Sequence, residues 1–393
     1  MTESFKGLGG SDGAVVVDMK HFRNFSIDPV THIATIGAGT PLQDVSRQLH
    51  DAGGRAMAHG TCPSIGVGGH ATIGGLGPTS RMWGMALDHI LEVEVVLANS
   101  TTIRASTTRN PDVLFAVKGA GASFGIVTEF KVRTEPEPSS AVQYSYTFNI
   151  GDAASNANLF KEWQSLISEP TLSRKFASVL TVSHNATVIS GTYFGTKAEF
   201  DAFQLEHRFP NSTTSSAVEF TEWMGLVAHW GEEVFLQLIT DVPAWFYSKS
   251  LSFSSKTLIP ASGIDNFFQY LTNQGSGTPV WYVIFDLVGG AINDVPTNAT
   301  AYAHRDSLYW MQSYAVAVGG VSQTTINFLD GINNLIMSSL PGSQLGAYPG
   351  YVDPRLPDGQ AAYWGSNLPH LRQIKATIDP MDVFHNPQSV MPA

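Results

Sequence analysis

The first third of the chain alternates short β-rich runs with helical patterns. The apolar residues of AVVVDM (14–19) and IATI (33–36) predict two strands. Within 40–54, apolar residues recur every three or four positions and a glycine pair ends the pattern, which predicts a helix. Segment 90–106 predicts two strands joined by a polar turn, and 110–119 predicts another helix.

The middle of the chain changes to patterns that predict an antiparallel sheet. Its strand-like runs alternate apolar with polar positions or are rich in aromatic residues: 142–150, 178–183, 186–195, 280–290 and 307–320. Helical patterns accompany them at 263–275 and 325–340. Together these elements indicate the α+β class, with an antiparallel sheet in the middle domain.

Two changes of composition suggest the domain organisation. A strand at 125–132 runs into the Pro/Glu-rich stretch 134–138, which is typical of a linker. The chain returns to turns, with one further helix, from residue 346 onward. We therefore expect three segments, which are 1–138, 139–345 and 346–393.

The charge and composition limit the possible partners and compartments. With 22 basic and 33 acidic residues the net charge is −11, which disfavours nucleic acid as a partner. No apolar run approaches the roughly 20 residues of a membrane span, and the N-terminus lacks a signal-peptide pattern. A single cysteine leaves the redox compartment open. Sequons nevertheless suggest a secreted glycoprotein, and they lie at Asn24, Asn99, Asn185, Asn211 and Asn298.

The glycine-rich turn GAGASFG (119–125) matches catalytic motifs in sequence but not in context. Gly121, Ser123 and Gly125 fit the G-x-S-x-G pattern of hydrolases, which needs a strand before the serine and a helix after it. Here a helix is predicted before and a strand after, which also disfavours a dinucleotide-binding turn. Two interpretations stay open: a plain tight turn, or a turn where backbone approaches a large ligand.

The only cysteine, Cys62, precedes a second glycine-rich stretch, SIGVGGHATIGGLG (64–77). This stretch predicts a loop that is either flexible or able to present N–H groups to a phosphate or a ring system. Cys62 is either a small buried apolar residue or a thiol placed for covalent chemistry, with His59 three residues away. No CxxC or His/Cys spacing typical of a metal site exists, so no metal ion is expected.

A pair of tyrosines surrounds a Pro-Gly turn in AYPGYVDPRL (347–356). Tyr348 and Tyr351 flank the turn, and Asp353 follows two residues later. A tyrosine acts as a general base only when its environment lowers its pKa well below about 10. The alternative is that both side chains serve in packing.

Three blocks of the sequence, in the same order, resemble the berberine-bridge-type FAD-linked oxidases. They are 60–88, 112–132 and 363–390, and within the family they are most similar to the fungal gluco- and chitooligosaccharide oxidases. The resemblance covers nearly the whole chain. It implies an FAD-binding domain of the PCMH (vanillyl-alcohol-oxidase) type with an incomplete first lobe, and an inserted α+β substrate domain on a large antiparallel sheet.

The resemblance also implies roles for individual residues. Cys62 matches the cysteine that forms a thioether to carbon 6 of the flavin. Tyr351 matches the candidate base that takes the proton of a sugar hydroxyl, and Asp286 is expected to tune that base. Further FAD contacts are implied at Gly66, Gly68, Gly69, Gly74, Gly125, Ile126, Tyr363, Asn386 and Gln388.

The implied reaction oxidises the anomeric hydroxyl of an oligosaccharide to a lactone and reduces O₂ to H₂O₂. The implied protein is an extracellular monomer with small-molecule partners, without a nucleic-acid or membrane partner. A second, histidyl flavin bond is not expected within this chain, because the matching histidine would lie upstream of Met1 and His70 lies in the wrong block.

Two departures from the family pattern keep other functions open. Gly350 replaces an expected asparagine, and Ile284 stands where a polar sugar contact is expected. One alternative is a flavin oxidase of secondary metabolism that acts on an alcohol or phenol, which Ile284 and Trp281 would suit. The other is a truncated, non-catalytic flavoprotein.

Overall fold

The computed structural model describes residues 15–149, 151–209, 212–233, 245–317, 319–386 and 388–393. In this part of the chain two large antiparallel sheets carry the fold, and helices pack on them. This mixture of helix and antiparallel sheet confirms the α+β class. No helix in the described ranges is long and apolar enough to cross a bilayer.

The first sheet is built from the N-terminal part of the chain. Its elements and those around it are β1 Phe25–Ile27, β2 Ala34–Gly37, α1 Leu42–Asp51, β3 Arg55–Ala56, α2 Val67–Ile73, α3 Ser80–Trp83, β4 Ile90–Val96, β5 Thr102–Ser106, α4 Pro111–Ala120, β6 Ile126–Val132 and β7 Glu135–Pro136. The strand order is β1-β2-β6-β4-β5, and β3 pairs with β7. The predicted strand at 14–19 is wrong for the described residues, since 15–19 are irregular and exposed or half-buried there; Ala14 lies outside them.

The glycine-rich stretch after Cys62 contains a helix where a loop was predicted. Val67–Ile73 forms α2 because Val67 and Ala71 are buried against the first sheet. A Cβ on Gly68 would lie 2.7 Å from the carbonyl oxygen of Ala38, so glycine allows this helix to approach the neighbouring backbone. Tertiary packing therefore overrides the low helix propensity of glycine here.

The second sheet comes from the middle of the chain. Its elements are β8 Ala141–Asn149, α5 Ala153–Ile167, β9 Val179–Ser183, β10 Ala186–Tyr193, α6 Lys197–Asp201, α7 Leu205–Arg208, β11 Thr214–Phe220, α8 Trp223–Glu233, β12 Trp245–Ser254, α9 Ala261–Asn273, β13 Val280–Leu287, β14 Ser307–Ala317 and α10 Gln323–Ser338. Seven strands lie in the order β11-β8-β10-β9-β13-β14-β12. Residues of α5, α9 and α10 join one face of this sheet in a core rich in aromatic side chains.

The last segment of the chain returns to the first sheet. After the turn around Tyr348 it forms α11 Gly359–Trp364 and α12 Leu368–Ile378. The indole of Trp364 donates to the carbonyl of Gly119, and the ammonium of Lys375 donates to that of Ser123. The chain end is thereby fixed to the 119–125 turn.

Candidate functional site

A cavity of about 430 Å³ lies between the Cys62 loop and one face of the seven-stranded sheet. Its walls include residues 60–62, 76–78 and the turn 348–351. Three residues with implied chemical roles meet in this cavity, although they are far apart in the sequence: Cys62, Asp286 and Tyr351. The volume falls within the roughly 300–1,000 Å³ of small-molecule sites.

The floor of the cavity follows from the alternation of side chains along β13. Tyr282, Ile284 and Asp286 line the cavity. Their sequence neighbours Trp281, Val283 and Phe285 are buried in the core on the opposite face. Because the period of a strand is two, one strand supplies both the packed face and the cavity face. Trp281 therefore does not line the cavity, which corrects its expected role in substrate selection.

Strand register extends this floor across four strands, from β14 to β10. Ile284 pairs with Thr181 of β9 and with Gln312 of β14, and both partners line the cavity. In the neighbouring row, Asp286 pairs with Val179 of β9, and Val179 pairs with Ser190 of β10. A strip of polar side chains thus crosses the sheet and is interrupted by Ile284 and Val179.

The far end of the strip is held by a short hydrogen-bond chain. The hydroxyl of Thr192 donates to Oε1 of Gln143 at 2.6 Å. The indole N–H of Trp230 donates to the hydroxyl of Thr192 at 3.0 Å. All three residues line the cavity. Sequence reasoning missed them, because their meeting depends on the register of β8 with β10 and on the docking of α8.

Buried histidines shape the loop that carries Cys62. The backbone N–H of Gly60 donates to Nε2 of His70 at 2.9 Å, and that of Ala58 donates to Nε2 of His89 at 3.2 Å. The ring of His59 lies between the hydroxyl of Ser46 and the carbonyl of Gly60. Both ends of the loop segment 58–60 are thus fixed by imidazole acceptors.

These histidines are neutral. Burial lowers the pKa of His70 to about 3 and that of His89 to about 4, and burial also lowers the pKa of His59. An imidazole accepts a hydrogen bond from a backbone N–H only while that ring nitrogen is unprotonated. His70 therefore acts as a structural acceptor beside the cavity.

The tyrosine turn packs against the end of α2 and the glycines that follow it. The hydroxyl of Tyr348 accepts from the backbone N–H of Gly75 at 3.0 Å, and the N–H of Tyr351 donates to the carbonyl of Tyr348. The two rings lie 5.0 Å apart. A Cβ on Gly350 would lie 2.5 Å from Cε1 of Tyr348 and 2.8 Å from Cδ1 of Ile73. This packing explains why glycine occupies a position where asparagine was expected.

The other residues with implied FAD contacts do not line this cavity. Gly69 is exposed, and Gly66 has open space where a Cβ would be. Gly68 and Gly74 allow close approaches to Ala38 and Tyr348, and Gly125 lies against β4, next to the half-buried Ile126.

Two of the C-terminal residues surround Asp353. The backbone N–H of Asp353 donates to the hydroxyl of Tyr363 at 3.0 Å, and Nε2 of Gln388 donates to the carbonyl of Asp353 at 2.7 Å. Asn386 accepts from the N–H of Gln388. In this structure these residues hold the segment that follows Tyr351.

The serine of the hydrolase-like motif has a structural role. Ser123 is 2% exposed, and its hydroxyl accepts from the backbone N–H of Val390. A helix, α4, precedes it and a strand, β6, follows, so the strand-serine-helix geometry of a nucleophile elbow is not formed. Within the described ranges, no group of three or more His, Cys, Asp or Glu residues is arranged to hold a metal ion.

Family comparison identifies two matching regions. Residues 2–106 match a family described as "FAD binding domain", and residues 347–391 match one described as "Berberine and berberine like". The FAD-linked oxidoreductase sorD of Penicillium rubens is 40% identical over 392 residues, which cover 99% of this chain and 83% of that protein.

Two solved structures are similar over nearly the whole chain. The xylooligosaccharide oxidase of Myceliophthora thermophila C1, solved with xylobiose, gives a TM-score of 0.89 at 32% identity, covering 98% of this chain and 84% of that one. The second is a glucooligosaccharide oxidase of Acremonium strictum, which carries a 6-S-cysteinyl, 8α-N1-histidyl FAD. Its TM-score is 0.86 at 30% identity, and the match covers 99% of this chain and 86% of that one.

The neutral histidines predict a loss of stability in mild acid. An unfolded chain binds a proton at each histidine below about pH 6.5, whereas folded His70 does so only near pH 3, so the free energy of unfolding falls between these values. The free energy of unfolding of the parent protein should therefore decrease between about pH 7.5 and about pH 5. In His70→Gln we expect this decrease to be smaller by about 2 kcal/mol. Thermal unfolding at both pH values measures it.

An exposed histidine provides the matched control. His184→Gln makes the same substitution at an exposed position, and the pH dependence of its stability should equal that of the parent protein. If His70→Gln and His184→Gln have the same pH dependence, the assignment of His70 as a buried neutral acceptor is wrong.

Proposed function

Because this chain belongs to the berberine-bridge-type family of FAD-linked oxidoreductases and has its PCMH-type FAD-binding fold, we propose that it is an FAD-dependent oxidase of a carbohydrate hydroxyl. The observation that carries the proposal is the meeting of Cys62, Asp286 and Tyr351 in one cavity above a polar strip. The curated relatives include xylo- and glucooligosaccharide oxidases at 35% and 32% identity, which supports a sugar substrate.

The residues around the cavity fit a flavin. Cys62 is half-buried and lines the cavity, so a ring placed there would lie beside its side chain. Gly60, Gly77 and Gly350 belong to the same wall, and because glycine has no side chain, nothing projects from these positions into the cavity. We propose that Cys62 forms the thioether to the flavin and that this wall holds its ring.

The chemistry divides between the cofactor and the protein. Bound FAD supplies a hydride acceptor, and its reoxidation by O₂ yields H₂O₂. The protein must remove the proton of the substrate hydroxyl as its carbon loses the hydride. Tyr351 is the proposed acceptor of that proton, and the carboxylate of Asp286, on the floor of the same cavity, is the proposed group that tunes it.

The sheet floor is the proposed sugar-binding surface. Gln143, Thr181, Ser190 and Gln312 offer amide and hydroxyl groups that can exchange hydrogen bonds with sugar hydroxyls. The aromatic faces of Tyr282 and Trp230 are suited to the apolar faces of pyranose rings.

One observation favours a second substrate class. Ile284 lies at the centre of the floor, and Val179, Leu287 and Val288 extend an apolar area beside it. A buried sugar hydroxyl without a partner at this place costs free energy, whereas the ring of an alcohol or phenol does not. An oxidase of an apolar alcohol is therefore the second candidate.

The wider parts of the proposal concern organisation and location. We propose domain boundaries at 138 and 346, a monomer, and a secreted, glycosylated protein. Exposed sequon asparagines at 24, 99, 185 and 298 support glycosylation; Asn211 lies outside the described residues.

Substrate turnover separates the two candidates. We expect H₂O₂ formation with at least one of cellobiose, xylobiose and N,N′-diacetylchitobiose, and little with vanillyl alcohol, in a peroxidase-coupled assay. Ile284→Gln, which adds an amide between Thr181 and Gln312, should lower the KM for the disaccharide roughly fivefold. If the protein oxidises vanillyl alcohol but none of the disaccharides, and Ile284→Gln slows the oxidation of vanillyl alcohol, the second candidate is correct instead.

Replacement of the proposed base tests the proton transfer. Tyr351→Phe should slow reduction of the bound flavin by about 100-fold or more while the flavin content stays unchanged, because only the proton acceptor is lost. Anaerobic stopped-flow spectroscopy with the best substrate measures the rate. Tyr348→Phe removes a hydroxyl bonded to the backbone of Gly75 and should cost much less. Equal losses in both variants would exclude a special role for Tyr351.

Acid precipitation tests the flavin bond. Yellow flavin should stay with the pellet of the purified protein and pass into the supernatant for Cys62→Ser, because serine cannot form the thioether. Absorbance at about 450 nm in both fractions measures this. A soluble but colourless parent protein would contradict the proposal, as would retention of the flavin by Cys62→Ser.

A further inference from the structure

The segment that carries Tyr351 passes around the open edge of the second sheet. Strand β12, Trp245–Ser254, is the last strand in the sheet order, with β14 as its neighbour on one side. On the other side, the backbone N–H of Ser252 donates to the carbonyl of Gly346. The segment 346–353 thus begins beside the edge of this strand.

The start of the segment is anchored on the cavity face of the sheet. The backbone N–H of Gly346 donates to the hydroxyl of Ser252, and that of Tyr348 donates to the hydroxyl of Ser250, both at 2.9 Å. Ser250 pairs directly with Gln312, whose side chain lines the cavity. Directly opposed residues of two strands share a face, so these serines lie on the cavity side.

The end of the segment is anchored on the opposite, helix-covered face. Asp353 is 2% exposed, and its Oδ2 lies 2.6 Å from the ammonium of Lys249. The hydroxyl of Tyr247 donates to Oδ1 of Asp353 at 3.0 Å. Tyr247 and Lys249 alternate with Ser248 and Ser250 along β12, so they point away from the cavity.

Asp353 uses all of its polar groups in this anchor. Besides the bonds to Lys249 and Tyr247, its carboxylate accepts from the N–H of Arg355, and its backbone binds Tyr363 and Gln388. The ammonium of Lys249 is shared with Asp330 of α10 at 3.1 Å. A carboxylate this deeply buried is stable only while its positive partner remains.

We propose that Lys249 and Asp353 are positioning residues that hold Tyr351 over the cavity through a clamp across the edge of β12. Tyr351 lies between the serine anchors on one face and the Lys249–Asp353 ion pair on the other. The inference rests on the proposed role of Tyr351 as base. It adds that the position of this base is set from the far side of the sheet, by residues that do not line the cavity.

The expected size of the effect follows from the sensitivity of proton transfer to distance. A displacement near 1 Å costs roughly 100-fold in rate. Lys249→Met keeps the aliphatic stem and removes the charge, so we expect flavin reduction to slow roughly 10- to 100-fold with KM changed less than about twofold. Lys161→Met is the matched control, since Lys161 forms an ion pair with Asp265 elsewhere in the same helix layer.

A double-mutant cycle tests whether Lys249 acts through Tyr351. With the disaccharide that the parent oxidises fastest, Lys249→Met should slow reduction in the parent but not further in Tyr351→Phe. Equal slowing in both backgrounds, or no slowing in the parent, overturns the clamp. If Tyr351→Phe alone leaves the rate unchanged, the proposed base is wrong, which is a separate outcome from failure of the clamp.

Hydrogen exchange gives a readout that does not depend on turnover. The amides of Tyr348 and Asp353 should exchange faster in Lys249→Met than in the parent or in Lys161→Met, with the sheet strands unchanged. If Lys249→Met does not fold, Ser250→Ala tests the clamp from the cavity face without leaving a buried charge. Unchanged exchange of the Tyr348 amide and unchanged reduction in Ser250→Ala would overturn the proposal.

Discussion

The two-faced character of the seven-stranded sheet is the constraint on which the site depends. One face packs aromatic side chains such as Phe285 and Tyr309 against helices, where they contact Trp163 of α5, and the other face forms the floor of the cavity. Side chains alternate with a period of two, so a slip of one residue in β13 would place the core residue Phe285 where Asp286 now faces the cavity. The apolar core therefore sets the register that places the polar strip, and the stability of the fold and the geometry of the floor have the same origin.

The opposite wall of the cavity is made rigid in a different way. The irregular segment before Cys62 has no strand or helix to pair its backbone, and neutral imidazoles accept the N–H groups of Ala58 and Gly60. Burial keeps His70 and His89 uncharged, so that a ring nitrogen of each can accept a hydrogen bond. Cys62 thus follows a segment whose backbone is held by hydrogen bonds to buried side chains.

Much of the second sheet could be predicted from sequence, and its exceptions have physical reasons. The alternation in 280–290 and 307–320 gave two central strands correctly, because both faces carry clear patterns. Strand β12 was missed although Tyr247, Leu251 and Phe253 alternate with serines. Lys249 breaks the apolar series at a core-facing position, where its charge is balanced by Asp353 and Asp330, which are distant in sequence. Strand β11, at the other edge, is largely exposed and carries no apolar series.

The residues with chemical roles in the candidate site could be predicted from the sequence, but part of its floor could not. Family resemblance supplied Cys62, Asp286 and Tyr351, and the structure brings them to one cavity. It did not supply Gln143, Thr192 or Trp230, because their meeting depends on the pairing of β8 with β10 and on the docking of α8.

The return of the chain end joins the two sheets into one site. Lys375 is fully buried, and its ammonium binds Asp379 at 2.6 Å and the carbonyl of Ser123 at 2.8 Å. Burial opposes ionisation of Asp379, but hydrogen bonds from Lys375 and from two backbone amides outweigh it and hold the pKa of this carboxyl below its usual range. The returning segment is thus tied at Ser123 to the turn that precedes β6 of the first sheet, and at Asp353 to β12 of the second sheet. Tyr351 lies two residues before the tie at Asp353, so the position of the proposed base depends on the second sheet and on the returning segment together.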